Sequence, residues 1–373
     1  MTELNFEVLK RVDPKKWDNE LKKNENSVFF QTAEYMMSDE PEKFPLFIYV
    51  YDENNGIVGQ LALTIIKSQK AYSSYLLKNY TKLISKIGNR GSWVSGPIIH
   101  TKDNEVRKKV VQTFLIILNS IVEKYNLMLI DGYSPVQDNI DKDYQNEFKK
   151  NGFQIKNFVT FRMELNNDIK NIWKNVKKNA RNNVTKAKRV GIEIKEIQNI
   201  NDLKDYHLLI KKWAVTKGID ILEPLDGIEK NWKNHKAGIE RFFLAYQNNE
   251  LVSGLRVGCF NGIVFTNQVL NSYSKAASVG GPALTWYAIE WAKKNSMRIY
   301  DFSGVETPIK DSAHKEQWEE LMNYKRKWGG VEFPYYHFLK VINPKKYKFF
   351  RLLSRPDWIY RNYKKKKFRR PTH

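Results

Sequence analysis

The strand-forming runs Phe47–Tyr51 and Ile57–Ile66 flank a polar turn at Asp52–Asn55, a pattern that predicts a β-hairpin. Trp93-Val94 and Gly96-Pro97 then lead into a helical stretch in which Val106, Val110, Phe114, Ile117, Ile121 and Tyr125 recur every three or four residues. A strand over Leu127–Asp131 follows, and Glu147–Phe153 leads into another. The same order returns about 190 residues later. Phe243–Tyr246, a turn at Gln247–Glu250 and Leu251–Phe260 form the second hairpin. Phe265–Leu270 leads through Gly280-Gly281-Pro282 to a helix bearing Leu284, Tyr287, Ala288 and Trp291, then to a strand over Met297–Asp301 and the segment Tyr324–Gly330. Two copies of one α/β unit are the economical reading, and it predicts the same topology over residues 30–165 and 192–340.

Between the copies, Ile172, Val176, Ala180, Val184 and Ala187 mark one face of a basic helix or broken helix pair over Asn167–Arg189. The predicted organisation is a first domain over 1–165, a basic helical connector over 166–191, a second domain over 192–340, and a basic, aromatic C-terminal segment over 341–373 that packs back on the first domain.

Charge follows this division. The chain has 63 Lys+Arg against 41 Asp+Glu, a formal net charge of +22. Residues 166–195 hold nine Lys/Arg against Asp168 and Glu193, and residues 340–373 hold thirteen against Asp357. Those two stretches carry most of the excess, so the basicity is placed rather than diffuse and suits a phosphate-rich partner. A 42% hydrophobic and 13% aromatic composition supports folded domains, and 373 residues is the length of two. No apolar run approaches the 18 or more residues of a membrane span and the start lacks a signal-peptide pattern, so a cytoplasmic protein is expected.

Several chemistries are disfavoured. The six histidines show no metal-ligand spacing, and no metal is expected. The single cysteine, Cys259, excludes an internal disulfide, a thiolate zinc site and a CxxC redox pair, and it sits mid-strand where core packing is the expected role. There is no GxSxG elbow, phosphate-binding P-loop or GxGxxG element. What remains is chemistry by positioning and electrostatics in a cleft between two similar domains.

Phe30-Gln31 with Tyr35, then Lys178-Asn-Ala-Arg181, Lys186-Ala187 and Gly191-Ile192-Glu193, resemble segments of the FemABX aminoacyltransferases. Tyr300-Asp301-Phe302-Ser303-Gly304-Val305 is similar to that family's YDFGGI segment, and Tyr324-Lys325 with Trp328-Gly329 to its FKxxFG segment. The resemblance spans nearly the whole chain. It implies two tandem GNAT-like acyltransferase domains, α/β (α+β) in class, each a mixed and mostly antiparallel sheet flanked by helices. It also implies transfer of an amino acid from aminoacyl-tRNA to a peptidoglycan-like cell-envelope precursor or small amine acceptor, with no cofactor beyond that donor.

In that family the lysine of the FK pair stabilises the oxyanion formed when the acceptor amine attacks the ester, and Lys325 occupies the matching position. Asp131 aligns with a cleft carboxylate and is the candidate base, so Lys325 and Asp131 are the catalytic candidates. Asp301, Tyr324, Gln268 and Arg181 are the substrate-binding candidates. The family's phosphate-contacting lysine aligns near Met37, its Arg-Pro pair near Glu223-Pro224, and two tyrosines near Gly227 and Gln268. An apolar or acidic group does not bind a pyrophosphate as arginine does, so the acceptor is not carried over.

Two alternatives stand beside this reading. One is a GNAT-like N-acyltransferase using acyl-CoA on an amino sugar or lipid-linked glycan, with a CoA phosphate at a helix opened by Gly280-Gly281-Pro282. The other is a non-catalytic basic protein that binds RNA or a membrane surface. The basic C-terminus also suits peripheral contact with an anionic membrane at the inner face.

Overall fold

The structure, a computed structural model, describes residues 4–37, 43–67, 87–136, 142–216, 226–272, 274–307 and 315–353. The expected hairpins form where the turn chemistry supports them. In the first, Asp52 Oδ1 accepts from the backbone N–H groups of Asn54 and Gly56 and closes the loop between β2 (Lys43–Tyr51) and β3 (Ile57–Ile66). In the second, Asn248 and Asn249 both take positive φ, 50° and 64°, in the two-residue loop between β9 (Glu240–Gln247) and β10 (Glu250–Phe260). Asparagine tolerates that left-handed geometry, which matches the twist of the flanking strands.

The chain divides into two compact units with boundaries at Phe158/Val159 and Phe333/Pro334. In the first, β1 (Asn5–Leu9), β2, β3, β4 (Arg90–Trp93), β6 (Leu129–Tyr133) and β13 (Val331–Val341) lie in that sheet order, with the two-residue β5 (Ile98–Ile99) beside β3. β1–β2, β2–β3, β3–β4, β3–β5 and β6–β13 pair antiparallel, whereas β4 and β6 are parallel. A parallel neighbour requires a crossover, and α3 (Asn104–Lys124) supplies it. Asp103 caps that helix by accepting from Val106 N at 2.9 Å, and Val110, Phe114, Ile117 and Ile121 turn into the core beside Ile48, Leu61 and Phe338. The remaining helices of this unit are α1 (Pro14–Lys22), α2 (Ala33–Met36), α4 (Lys142–Lys150) and α11 (Pro344–Leu353).

The second unit repeats the plan. Its order is β8 (Glu193–Glu196), β9, β10, β11 (Ile263–Asn271), β12 (Ile299–Glu306) and β7 (Gln154–Glu164). Here too there is a parallel pair, β11 with β12, bridged by α9 (Ala277–Lys294). The halves therefore share the predicted topology. The basic stretch is a broken pair, α5 (Ile169–Asn175) and α6 (Lys178–Arg189), and Ile172, Val176, Ala180 and Val184 enter this unit's core. α7 (Ile200–Thr216) and α8 (Asp226–Lys236) lie on a smaller cluster with Tyr206 and Phe242.

One feature differs from two self-contained copies. The closing strand of the first copy, β7, belongs to the second unit from Val159 on, and the closing strand of the second copy, β13, belongs to the first from Pro334 on. Both are eleven residues long. Among the described residues no helix is long and apolar enough to cross a membrane.

Beside Asp131 the first unit is packed to contact. A Cβ on Gly132 would lie 2.0 Å from two ring atoms of Trp93, which is itself 2% exposed and donates its indole N–H to Gly96 O. Gly132→Ala must therefore displace a buried indole, and it is expected to destabilise the protein by about 2–3 kcal/mol, read as a lowered denaturation midpoint with an unchanged slope.

Candidate active site

Lys325 lies in the last turn of α10 (Lys315–Arg326), one residue before the helix ends rather than after it. Trp318, Met322 and Lys325 follow at intervals of four and three, so one helix face carries two apolar residues and then a lysine toward the core. Lys325 is 7% exposed, whereas Arg326 and Lys327 beside it are half-buried. It is thus set apart from the basic run in which the sequence places it.

The Lys325 Nζ donates to Ser303 O at 2.6 Å and Gly304 O at 3.3 Å. Those carbonyls come from the motif of β12, where Ser303 holds a left-handed φ of 68°. A non-glycine residue in that region is uncommon, and here the conformation accompanies two consecutive carbonyls turned to one ammonium. Among the described residues two of the three N–H donors are used in this way, which leaves a third. Burial pushes the Lys325 amine down to about 8, with Asp301 opposing the shift. At neutral pH it carries its charge in a poorly solvated place, where a charge acts more strongly than in water.

Asp301 lies within β12, which runs on past it to Glu306. The sequence suggests a carboxylate held by backbone N–H groups. The structure gives it one, Ser303 N at 2.9 Å, together with the Thr160 hydroxyl at 2.5 Å and Arg162 Nε at 2.9 Å. Asp301 is fully buried and Arg162 is 5% exposed. Thr160 and Arg162 escape the sequence reading because they lie some 140 residues upstream, on β7. The available signal is a polar alternation, Thr160 and Arg162 among Val159, Phe161 and Met163, in the one buried stretch of that strand.

The other candidates fall at separate places. Tyr324 Oη lies 3.4 Å from Thr285 Oγ1, its hydroxyl pushed up by burial, and the Lys327 ammonium sits 4.0 Å from its ring centroid. Gln268 is on β11, where its Oε1 accepts from Tyr206 OH at 2.9 Å. Arg181, half-buried on α6, reaches back to Lys174 O at 3.5 Å. Asp131 belongs to the first unit. There His337 Nε2 is 3.3 Å from its Oδ2, and Oδ1 is buried without a hydrogen-bond partner among the described residues. β6 continues beyond Asp131 to Tyr133, so neither aspartate ends its strand.

Gln31, one of the resemblance markers, is buried and structural. Its Oε1 accepts from Ala62 N at 2.8 Å while its Nε2 donates to Ala62 O and Val94 O. Gly280-Gly281-Pro282 does not open a helix. It lies inside α9, which begins at Ala277, and the glycines are there for close packing: a Cβ on Gly280 would come 2.6 Å from Ser253 Oγ, and one on Gly281 2.8 Å from Asn271 Oδ1. That removes the anion cradle that the acyl-CoA alternative places there. Cys259 is 7% exposed with its thiol pushed up to about 12 by burial, which suits a core residue and not a nucleophile. Among the described residues no three His, Cys, Asp or Glu side chains are grouped to hold a metal ion. Met37 and Gly227 are described; Glu223-Pro224 and the basic run Lys364–Lys367 lie outside the described residues.

No protein-family profile matches the sequence, and no curated protein does. Solved structures do. A structure of FemX matches with a TM-score of 0.67 at 14% identity, over 92% of this chain and 99% of that one. The L-PGS of Bacillus licheniformis matches at 0.53 and 12% identity, over 92% and 98%. A tandem GNAT protein from the clavulanic acid biosynthesis pathway also matches at 0.53, with 10% identity over 90% and 98%. These likenesses show the fold: the chain has a tandem GNAT-type α/β fold that covers 99% of the FemX chain.

Proposed function

We propose that the protein is a FemABX-like acyltransferase that moves an aminoacyl group from aminoacyl-tRNA to an amine of a cell-envelope precursor or another small acceptor. The observation that carries this reading is the amine of Lys325, buried at the end of α10 with one N–H donor to spare among the described residues. In aminolysis of an ester the acceptor nitrogen bonds to the carbonyl carbon, and the carbonyl oxygen becomes an oxyanion. Collapse then breaks the bond to the ribose oxygen of the donor, which leaves as a hydroxyl with the proton that the attacking nitrogen gives up. The oxyanion needs a fixed donor, and a preorganised charged one contributes about 3–4 kcal/mol. Lys325 is assigned that role. Asp301, enclosed by three internal donors, is assigned to positioning: with Arg162 it fixes the β12 motif whose carbonyls hold Lys325. Asp131 is the first unit's candidate for holding the acceptor ammonium, because it stands at the position of the family's cleft carboxylate.

The donor is tested by incubating the purified protein with labelled aminoacyl-tRNAs, or with labelled acyl-CoAs, plus a cell extract as acceptor source. Label reaching product from an aminoacyl-tRNA supports the reading. Label arriving only from an acyl-CoA replaces it with N-acyl transfer.

Lys177, Lys178 and Arg181 at the start of α6 are solvent-facing or half-buried and belong to no base-reading module. RNA binding through them should be governed by phosphates. Reversing all three charges is expected to flatten the slope of log Kd against log salt by about 2, at roughly 0.7 for each single-stranded phosphate no longer neutralised. A filter-binding titration that gives equal slopes removes these residues from the RNA interface.

A further inference from the structure

Within the second unit, α6 packs against α9, and a groove of about 400 Å3 lies among α5, α6 and α9. That volume falls within the roughly 300–1,000 Å3 range of ligand clefts. Two indoles form its floor. Trp173 and Trp286 have ring centroids 4.4 Å apart and planes inclined at 54°. Trp286 is 5% exposed and belongs to the core, while Trp173 is half-buried, packs against that core and lines the groove. Lys170, Lys174 and Lys188 line the same groove and are all exposed, as is the single carboxylate there, Glu290. Three ammonium groups around recessed aromatic rings complement an anion with a flat, stackable body.

We infer that this groove takes an unpaired nucleotide of an RNA strand, with the base stacked on Trp173 and the flanking phosphates among Lys170, Lys174 and Lys188. The inference rests on the proposed use of aminoacyl-tRNA and gives that donor a contact separate from Lys325. Base stacking on aromatic rings with lysines along the backbone is how single strands are held without sequence readout. Glu290 favours this occupant over a lipid. A carboxylate accepts from the exocyclic amino groups of cytosine and adenine, whereas it repels an anionic headgroup. With Trp286 5% exposed and Trp173 half-buried, neither indole offers the exposed apolar face that an interfacial helix lays into a bilayer.

The test uses the full chain, a fluorescent RNA hexamer ending in CCA, and the same hexamer annealed to its complement. Trp173→Leu is expected to weaken hexamer binding about tenfold and duplex binding less than twofold, and Trp173→Tyr to restore the hexamer affinity. Changing Lys170, Lys174 and Lys188 together to Gln should reduce the salt slope of hexamer binding by about 2. Equal hexamer affinities for wild type and Trp173→Leu overturn the assignment. So does Trp173-dependent binding to phosphatidylglycerol vesicles with no Trp173-dependent RNA binding. If Trp173→Leu does not fold, the lysine variant decides, and an unchanged affinity and slope overturn the assignment. Transfer assays run alongside separate this inference from the one beneath it. Transfer from charged tRNA with Trp173-independent hexamer binding removes the groove alone. Trp173-dependent binding with no transfer from any charged tRNA supports the groove as an RNA site and removes the donor assignment.

Discussion

Lys325→Met is expected to lower transfer turnover by roughly a hundred- to a thousandfold while leaving stability within about 1–2 kcal/mol of wild type. The first part follows from loss of a charged donor to the oxyanion. The second follows from opposing contributions. An amine shifted from 10.5 to about 8 by burial costs about 3 kcal/mol to keep charged at neutral pH, and methionine removes that cost. Against this, the Ser303 and Gly304 carbonyls lose their donor, at about 1–3 kcal/mol for a buried group left unsatisfied. Lys327→Met is the control. Its ammonium rests on the Tyr324 ring, so the variant gives up a cation–π interaction of about 0.5–1 kcal/mol and keeps its turnover. Steady-state transfer rates and denaturation midpoints for the two variants check both parts. Equal turnover in both would return Lys325 to the surface run from which its burial separates it.

Asp301→Asn should unfold far more easily than wild type. The carboxylate is fully buried and sits opposite a nearly buried guanidinium, and removing one member of such a pair leaves an uncompensated charge at about 3–5 kcal/mol. For a cooperative unit of the size of Val159–Phe333 that is a fall in melting temperature of roughly 6–20 °C. The amide also presents N–H where Arg162 Nε donates, or turns N–H toward Thr160 and Ser303 N. Replacing both partners, as Asp301→Leu with Arg162→Met, is expected to recover much of the loss, because no buried charge then remains. A second consequence concerns Lys325. Asp301 is the group that holds its amine up against burial. In Asp301→Asn, assayed below its melting temperature, the amine should lose its proton at a lower pH than in wild type. Calorimetry on the single and double variants checks the first effect, and the pH dependence of turnover checks the second.

The hairpins, the crossover helices and the doubling of the fold were legible because each rests on local pattern: Asp52–Asn55 and Gln247–Glu250 are turns by composition, and Phe114 and Leu284 belong to helical faces. The passage of β7 and β13 into opposite units was not legible. Periodicity marks a strand but does not say which sheet it joins, and β6 can pair with β13 only through contacts some 200 residues apart. The site divides in the same way. Lys325 and Asp301 stand in recognisable segments, whereas Thr160 and Arg162 are joined to Asp301 by tertiary structure alone. Gly280-Gly281-Pro282 shows the opposite error. A glycine pair before proline reads as a helix start, but burial against Ser253 and Asn271 decides its role.

The central claim, a charged Lys325 acting in acyl transfer, is tested most directly by the pH dependence of turnover in wild type and Lys325→Arg. The amine is charged below about 8 and neutral above it, so its contribution is present at neutral pH and lost as the pH rises through about 8. Turnover of the wild type is therefore predicted to fall on the alkaline side with a midpoint near 8. In Lys325→Arg the guanidinium stays charged throughout that range, and the alkaline limb is predicted to vanish. An alkaline limb at the same pH in both proteins would contradict the account.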